Sequence, residues 1–106
     1  MSQKVSIGRI VHYRLSLHDA DAINRRREHA QENYRFHERN KTGVQIHVGN
    51  RVKKGETVAM TITAVWEGDK VNGKAHLDGS DDLWVTSAQY DPKGKAAGTW
   101  SWPPRV

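Results

Sequence analysis

The second half of the chain is a series of short alternating segments separated by turn residues, and this pattern constrains the fold more than any other feature. Apolar and polar residues alternate through 44–48, 57–66, 71–77 and 83–86, and a last short segment covers 99–102. A period of two places successive side chains on opposite faces of a strand. Glycine- and aspartate-containing turns separate these segments every ten residues or so, which is typical of a small barrel or a strongly bent sheet.

One strand and one helix precede this β-rich part. Residues 4–15 alternate as a half-buried strand, and Gly8 inside it indicates a bulge or a close backbone approach. Ser16 and Asp19 form a capping-box pattern, which predicts a helix over about 17–38. The three-and-four spacing of a helical face is followed by Ala20, Ile23, Arg27, Ala30 and Tyr34.

These segments predict a mainly β fold of the α+β type. We expect a small SH3-like or OB-like antiparallel barrel, or a bent open sheet, with one helix inserted after the first strand. In the long strand of the second half, the apolar face is predicted to consist of Val58, Met60, Ile62, Ala64 and Trp66. The last strand is predicted to project Trp100 and Trp102 from one face.

Length and composition exclude several classes of protein. The 106 residues fit a single domain, 1–106, with a β-rich part over 44–102 and a tail over 103–106. The chain has no cysteine, so disulfides, thiolate zinc sites and cysteine nucleophiles are excluded. No apolar run approaches the ~20 residues of a membrane span, and the first residues lack the apolar region of a secretory signal. We therefore expect no membrane partner.

Six histidines raise the question of a metal site or an active site. The spacing His-x-x-x-His is absent, and His12, His47 and His76 lie on separate predicted strands. His76 and Asp78 could pair an acid with a base, but no nucleophile motif accompanies them, and Asp78 opens a turn sequence. The sequence therefore predicts no metal site, no cofactor and no enzymatic activity.

Charged and aromatic residues favour an anionic ligand. The net charge is +5, and the densest basic run is Arg25-Arg26-Arg27 on the helix. Guanidinium groups can hold phosphate in a fork geometry, and exposed indoles can stack on a base. The sequence contains four tryptophans, and Trp84 lies in the register opposite to Leu83 and Val85. The predicted ligand-binding residues are Arg9, His12, Arg26, Arg27, Trp84 and Trp100.

Several segments carry a family resemblance. They are IGRIVHY at 7–13, INRRR at 23–27, VW at 65–66, HLDG at 76–79, WVTS at 84–87 and GTWSWPP at 98–104. With these segments the chain resembles a family of small, uncharacterised accessory proteins of tailed phages and prophages. The resemblance implies a protein that works in the cytoplasm of the host bacterium. It supplies no catalytic residues.

Three functions follow as hypotheses. The first is a non-enzymatic protein that sequesters an anionic nucleotide-derived ligand, as a sponge against bacterial immune signalling; the thin predicted core favours a homo-oligomer. The second is a small-barrel nucleic-acid-binding protein, for which the nearly neutral helix is a weakness. The third is a virion component or a host-protein interaction module that uses exposed tryptophans and prolines.

Overall fold

In a computed structural model, which describes residues 4–39 and 49–105, the chain forms a five-stranded barrel with one long helix. The elements in chain order are β1 Ile10–Arg14, α1 Leu17–Arg39, β2 Thr57–Val65, a 3₁₀ helix Glu67–Asp69, β3 Val71–His76, β4 Asp82–Tyr90 and β5 Thr99–Ser101. The predicted helix is confirmed. The predicted strand at 44–48 lies outside the described residues.

The strands form a closed barrel in the order β1-β2-β3-β4-β5, and β5 pairs with β1. Neighbours in the chain are neighbours in the barrel, which distinguishes this meander from the Greek-key order of an OB-fold. All pairs are antiparallel except β4 with β5, which is a short parallel pair. The prediction of a small barrel with a helix after its first strand is confirmed, and the open sheet is not what forms.

Alternate residues of the strands fill the barrel. The buried apolar residues from the strands are Val11, Tyr13, Met60, Ile62, Val71, Ala75, Val85, Ala88 and Trp100. Leu15, Ala20, Ile23, Val52 and Leu77 extend this core towards α1. The alternation predicted for β3, with its odd-numbered residues inward, is the one observed. Residues on the other register of each strand therefore form the outer face of the barrel.

The first strand is shorter than the predicted 4–15. Gly8 adopts φ +92°, a left-handed conformation that favours glycine, and a turn at this point ends the alternation. Ile7, which the pattern placed on the buried face, is 70% exposed as a result. The regular strand starts only at Ile10.

The predicted capping box starts α1. The Ser16 backbone N–H donates to Asp19 Oδ2 at 3.0 Å, and the Asp19 N–H donates to Ser16 Oγ at 3.0 Å. The Tyr13 hydroxyl also donates to Asp19 Oδ2. Burial, and after it the neighbouring Asp19 carboxylate, raise the pKa of Tyr13 above its usual range. The start of α1 is thus fixed to the end of β1.

The predicted face of α1 packs against the core as far as Ala30, and the side chain of Tyr34 lies outside the described part. Ala20, Ile23 and Arg27 are buried, and Ala30 is half-buried. Asn24 also fixes the helix to the segment before β2: its amide donates to the carbonyl oxygen of Val52 at 2.8 Å and accepts the N–H of Val52 at 2.9 Å. These contacts position the helical arginines next to the turn between β3 and β4.

Candidate functional site

The outer face of β1–β4 presents two rows of side chains, defined by the strand register. One row runs across the strands through Ile10, Thr61, Lys74 and Trp84, and the next runs through His12, Ala59, His76 and Asp82. Adjacent strands are about 4.8 Å apart, and adjacent rows on one face are about 7 Å apart. The barrel therefore brings a tryptophan, a lysine and two histidines onto one surface.

Trp84 lies on this surface with its side chain open to solvent. The residue is 60% exposed, whereas Val85, the next residue of β4, is buried in the core. Its partner across the strands is Lys74, which is also exposed. The prediction that Trp84 faces away from the core is thus confirmed.

Trp66 is a second exposed tryptophan, and the sequence pattern placed it on the wrong face. A β-bulge in β2 shifts the register between Ile62 and Ala64, so residues after it turn to the opposite side. Trp66 is consequently 53% exposed. Its indole N–H donates to Asn72 Oδ1 at 3.0 Å, and the same oxygen accepts the N–H of Ser87 at 2.8 Å.

Asn72 and Lys74 lie on the same face of β3, two residues apart. Because the indole of Trp66 bonds to Asn72, it lies one row away from the row of Lys74 and Trp84. Lys74 is the cross-strand neighbour of Trp84, and it forms no ion pair within residues 4–39 and 49–105. His76 follows on the same face, and its Nε2 lies 2.8 Å from Thr61 Oγ1. We call Trp66, Lys74, His76 and Trp84 the outer-face site.

His12 is half-buried on β1 in the row of His76, with Ala59 between them. It therefore lies next to the outer-face site, and its role in ligand binding stays a prediction. His47 lies outside the described residues. Within the described part of the chain, no group of three histidine, aspartate or glutamate residues could hold a metal ion.

Arg27, by contrast, is not open to a ligand. It is 6% exposed, and its Nη2 and Nε lie 2.9 and 3.3 Å from the two carboxylate oxygens of Asp81. Its Nη1 donates to the carbonyl oxygen of Asn50. A Cβ on Gly49 would approach Nη2 to 2.6 Å, so the backbone closes directly over the guanidinium. The predicted phosphate fork is occupied by a carboxylate.

Arg26 contacts the same carboxylate from outside. Its Nη2 donates to Asp81 Oδ2 and to the carbonyl oxygen of Asp82, both at 2.9 Å. Hydrogen bonds from Arg27, and after it from Arg26, hold the pKa of Asp81 below its usual range even though burial opposes this. The pair of arginines thus fixes α1 to the β3–β4 turn, and neither forms a pocket with Trp84.

Trp100 is wrongly predicted as a stacking surface, because it is a core residue. It is 1% exposed, its ring centroid lies 4.6 Å from that of Tyr90, and its indole N–H donates to the carbonyl oxygen of Asp69 at 2.8 Å. Trp102 packs edge-on against it at 5.3 Å. In the closed barrel, β5 lies between β1 and β4, and its residue Trp100 is buried in the core.

Arg9 is exposed, but it is directed to another part of the surface. Its guanidinium carbon lies 4.9 Å from the ring centroid of Trp102, a cation–π distance. The next residue, Ile10, lies in the same row as Trp84 but three strands away from it. The predicted set therefore divides: His12 and Trp84 share one face, whereas Arg9, Arg26, Arg27 and Trp100 contact other groups.

A cleft lies beside Arg27 on the helix. It has a volume of about 150 Å³ and is lined by Asn24, Arg27, Glu28, Gln31, Gly49 and Arg51. Small-molecule pockets usually have volumes of ~300 Å³ or more. The guanidinium of Arg27 on its wall already binds Asp81. The outer-face site is therefore the stronger candidate.

Sequence reasoning missed Trp66, Lys74 and His76 as site residues. Lys74 and His76 could have been found, since their alternation with Val71, Ala75 and Leu77 places them on the face opposite the core. The exposure of Trp66 could not, because a bulge is a property of the pairing between β2 and β3.

Comparisons with protein-family models, with curated proteins and with solved structures return no match. Within the described residues, no helix is long and apolar enough to cross a membrane. The function of the protein is therefore inferred from the geometry of the outer-face site.

Proposed function

We propose that the protein binds single-stranded nucleic acid without altering it chemically, and that bases stack on the outer-face site. One observation carries this proposal: two tryptophans, each more than half exposed, lie on one barrel face, and the lysine beside Trp84 has no ion-pair partner among the described residues. An exposed indole forgoes the hydrophobic stabilisation that burial would give it. Such residues on a folded surface are characteristic of binding sites.

The chemistry of the site suits a base and its phosphate. Base stacking on an aromatic side chain contributes about 1–3 kcal/mol per base and tolerates any base, because every base has a π face. Lys74 can attract a phosphate next to a base that stacks on Trp84, since it is the cross-strand neighbour of that residue. His76 and Asn72 add hydrogen-bonding groups along the same strand.

The shape of the site favours a strand over a single enclosed nucleotide. The rows lie on an open barrel surface. The helical arginines that the sequence predicted to hold a phosphate bind Asp81 instead. Small β-barrels commonly bind oligonucleotides on such a face. The net charge of +5 supplies the attraction to a polyanion that non-specific binding requires.

Titration of fluorescently labelled single-stranded DNA and RNA, followed by anisotropy, tests the proposal. Trp84→Ala and Trp66→Ala should each weaken binding by about 5- to 150-fold, which corresponds to the stacking contribution of one base. Ile10→Ala is the matched control, because it truncates an apolar residue of the same row that is 58% exposed. It should bind as the parent protein does.

Two results would overturn the proposal. One is that the parent protein binds no oligonucleotide but binds a mononucleotide or cyclic nucleotide in a salt-tolerant way, as the sequestering hypothesis requires. The other is that Trp84→Ala and Trp66→Ala bind oligonucleotides as tightly as Ile10→Ala. The phage origin and the host cytoplasm, which the sequence resemblance implies, stay predictions, as does the homo-oligomer.

A further inference from the structure

Two lysine-bearing loops that are distant in the sequence meet at Arg14. One is the segment Lys53–Glu56 before β2, and the other is the connection Asp91–Gly98 between β4 and β5. The Arg14 Nε donates to the carbonyl oxygen of Gly94, and Nη1 donates to that of Gly55 at 3.3 Å. A single guanidinium therefore fastens both loops to the end of β1.

The first loop is held by backbone hydrogen bonds as well. The Gly55 N–H donates to the carbonyl oxygen of Leu15 at 2.7 Å, and the Leu15 N–H donates to that of Glu56 at 2.9 Å. These bonds continue the β1–β2 pairing past the end of the strands. The loop thus has a fixed position relative to β1.

Asp91 fixes the second loop. Its carboxylate accepts the backbone N–H groups of Lys93, Lys95 and Ala96 at 3.0, 2.9 and 2.9 Å. The same hydrogen bonds, that of Ala96 first, hold the pKa of Asp91 below its usual range. This carboxylate is directed at the backbone and, among the described residues, forms no ion pair with a lysine ammonium group, although the charge of Lys93 also lowers its pKa.

The joined loops form a strongly basic surface. Lys53, Lys54, Lys93 and Lys95 are all exposed, and among the described residues none of them has an ion-pair partner. With Arg14 they make five cations against the two carboxylates of Glu56 and Asp91, a net of three positive charges. We call these four lysines the lysine patch.

The lysine patch lies round the barrel from the outer-face site, because β1 and β4 are separated by β2 and β3 on one side and by β5 on the other. Ile10, His12 and Arg14 alternate on the outer face of β1, so Arg14 lies two rows beyond the row of Trp84. Two rows and three strands separate Arg14 from Trp84, which amounts to about 20 Å diagonally across the sheet. His12 and His76 occupy the row between them.

We infer that the lysine patch contacts the phosphodiester backbone of the strand whose bases stack on the outer-face site. This inference rests on the proposed function. Ammonium groups on flexible stems bind phosphates as point charges and read no sequence. The patch would supply affinity independent of sequence, and the tryptophans would supply the part that depends on bases. To reach both, a bound strand would wrap around the barrel.

The salt dependence of oligonucleotide binding tests the inference. The double variants Lys53→Gln/Lys54→Gln and Lys93→Gln/Lys95→Gln each remove two charges. Each phosphate contact to a single strand contributes about 0.7 to the slope of log K against log salt, so each variant should reduce the slope by about 1.4. If the binding curves converge at about 1 M salt, this corresponds to about 25-fold weaker binding at about 0.1 M.

Matched controls separate charge from position. Lys4→Gln/Arg25→Gln removes the same charge from exposed residues outside the patch and should leave the slope within about 0.3 of the parent value. Trp84→Ala should weaken binding but keep the slope. An abasic oligonucleotide should lose its dependence on Trp84 and keep its dependence on the patch. A dinucleotide, too short to span about 20 Å, should be insensitive to the patch.

The failure of this inference differs from failure of the proposed function. If the parent protein binds oligonucleotides through Trp84 but both patch variants match the Lys4/Arg25 control, the inference is wrong and the function stands. If the patch variants lose binding only to vesicles of anionic lipid, the patch has a membrane partner and the inference is wrong. If no oligonucleotide binds the parent protein, the proposed function itself is wrong.

Discussion

Replacing Arg27 by alanine should destabilise the protein more than any other change in the helical arginine run. The guanidinium is buried, binds both oxygens of Asp81, and donates to the carbonyl oxygens of Asn50 and Asp78. The substitution Arg27→Ala therefore removes the group that joins α1 to two other segments of the chain.

The magnitude follows from what the substitution leaves behind. Breaking a buried ion pair typically costs 3–5 kcal/mol, because one charge stays without its partner. Asp81 retains Arg26 at 2.9 Å, and its side chain is 24% exposed, so water and Arg26 recover part of this loss. We therefore expect about 3 kcal/mol, a large share of the 5–15 kcal/mol that stabilises a typical domain.

Urea unfolding followed by circular dichroism measures this change, and thermal unfolding provides a second readout. At ~4–8 °C per kcal/mol for a domain of this size, the melting temperature should fall by about 12–24 °C. Arg26→Ala is the matched control: its side chain is 47% exposed and contacts the same carboxylate. It should cost no more than about 1 kcal/mol.

The reasoning is refuted if Arg27→Ala costs no more than Arg26→Ala. It is also refuted if Arg27→Ala leaves stability unchanged and abolishes oligonucleotide binding, since this outcome would place Arg27 at the ligand. A double-mutant cycle with Asp81→Asn isolates the pair, and we expect a coupling energy of about 1–3 kcal/mol.

Two further predictions concern the core and the pH dependence of folding. Gly73→Ala would place a Cβ 2.6 Å from Cγ of Met60; overpacking of this kind should cost about 1–3 kcal/mol in urea unfolding, and an unchanged midpoint would contradict the close approach. Because hydrogen bonds from Arg27 lower the pKa of Asp81 below its ordinary 3.8, the stability contributed by this carboxylate is fully present above that value. It should be lost as the pH falls through the lower folded-state pKa. Unfolding of Asp81→Asn should accordingly depend less on pH in this acid range than unfolding of the parent protein, and equal pH profiles would count against the ion pair.

The burial of most strand residues could be predicted because alternation is a local property. Val11, Tyr13 and Leu15 in the first segment, and Val71 and Ala75 in β3, are buried as the pattern indicates. Each of these residues needs only a regular pleat to reach the core. The same local rule exposes Trp84, and the start of α1 depends only on two residues three positions apart.

The pattern failed where the pairing of strands breaks the alternation. Ile7 precedes a turn at Gly8, and Trp66 follows a bulge opposite β3, so both are exposed although their periodicity indicates burial. A bulge inserts one residue into one strand of a pair and reverses the faces after it. Its position depends on both strands together, and no single segment encodes it.

By itself, the sequence determined the class of fold: alternation and turn residues indicate a small barrel or a bent sheet, and a capping box with a helical face indicates one helix after the first strand. Only the tertiary structure decided which cations can meet a ligand. Arg27 and Lys53 carry the same charge, yet the fold brings Asp81 to Arg27 from 54 positions away and leaves Lys53 open beside Lys93. The physical reason is that a charge is fixed by the residue type, whereas its availability is fixed by the carboxylates and carbonyl groups that folding places within hydrogen-bond distance.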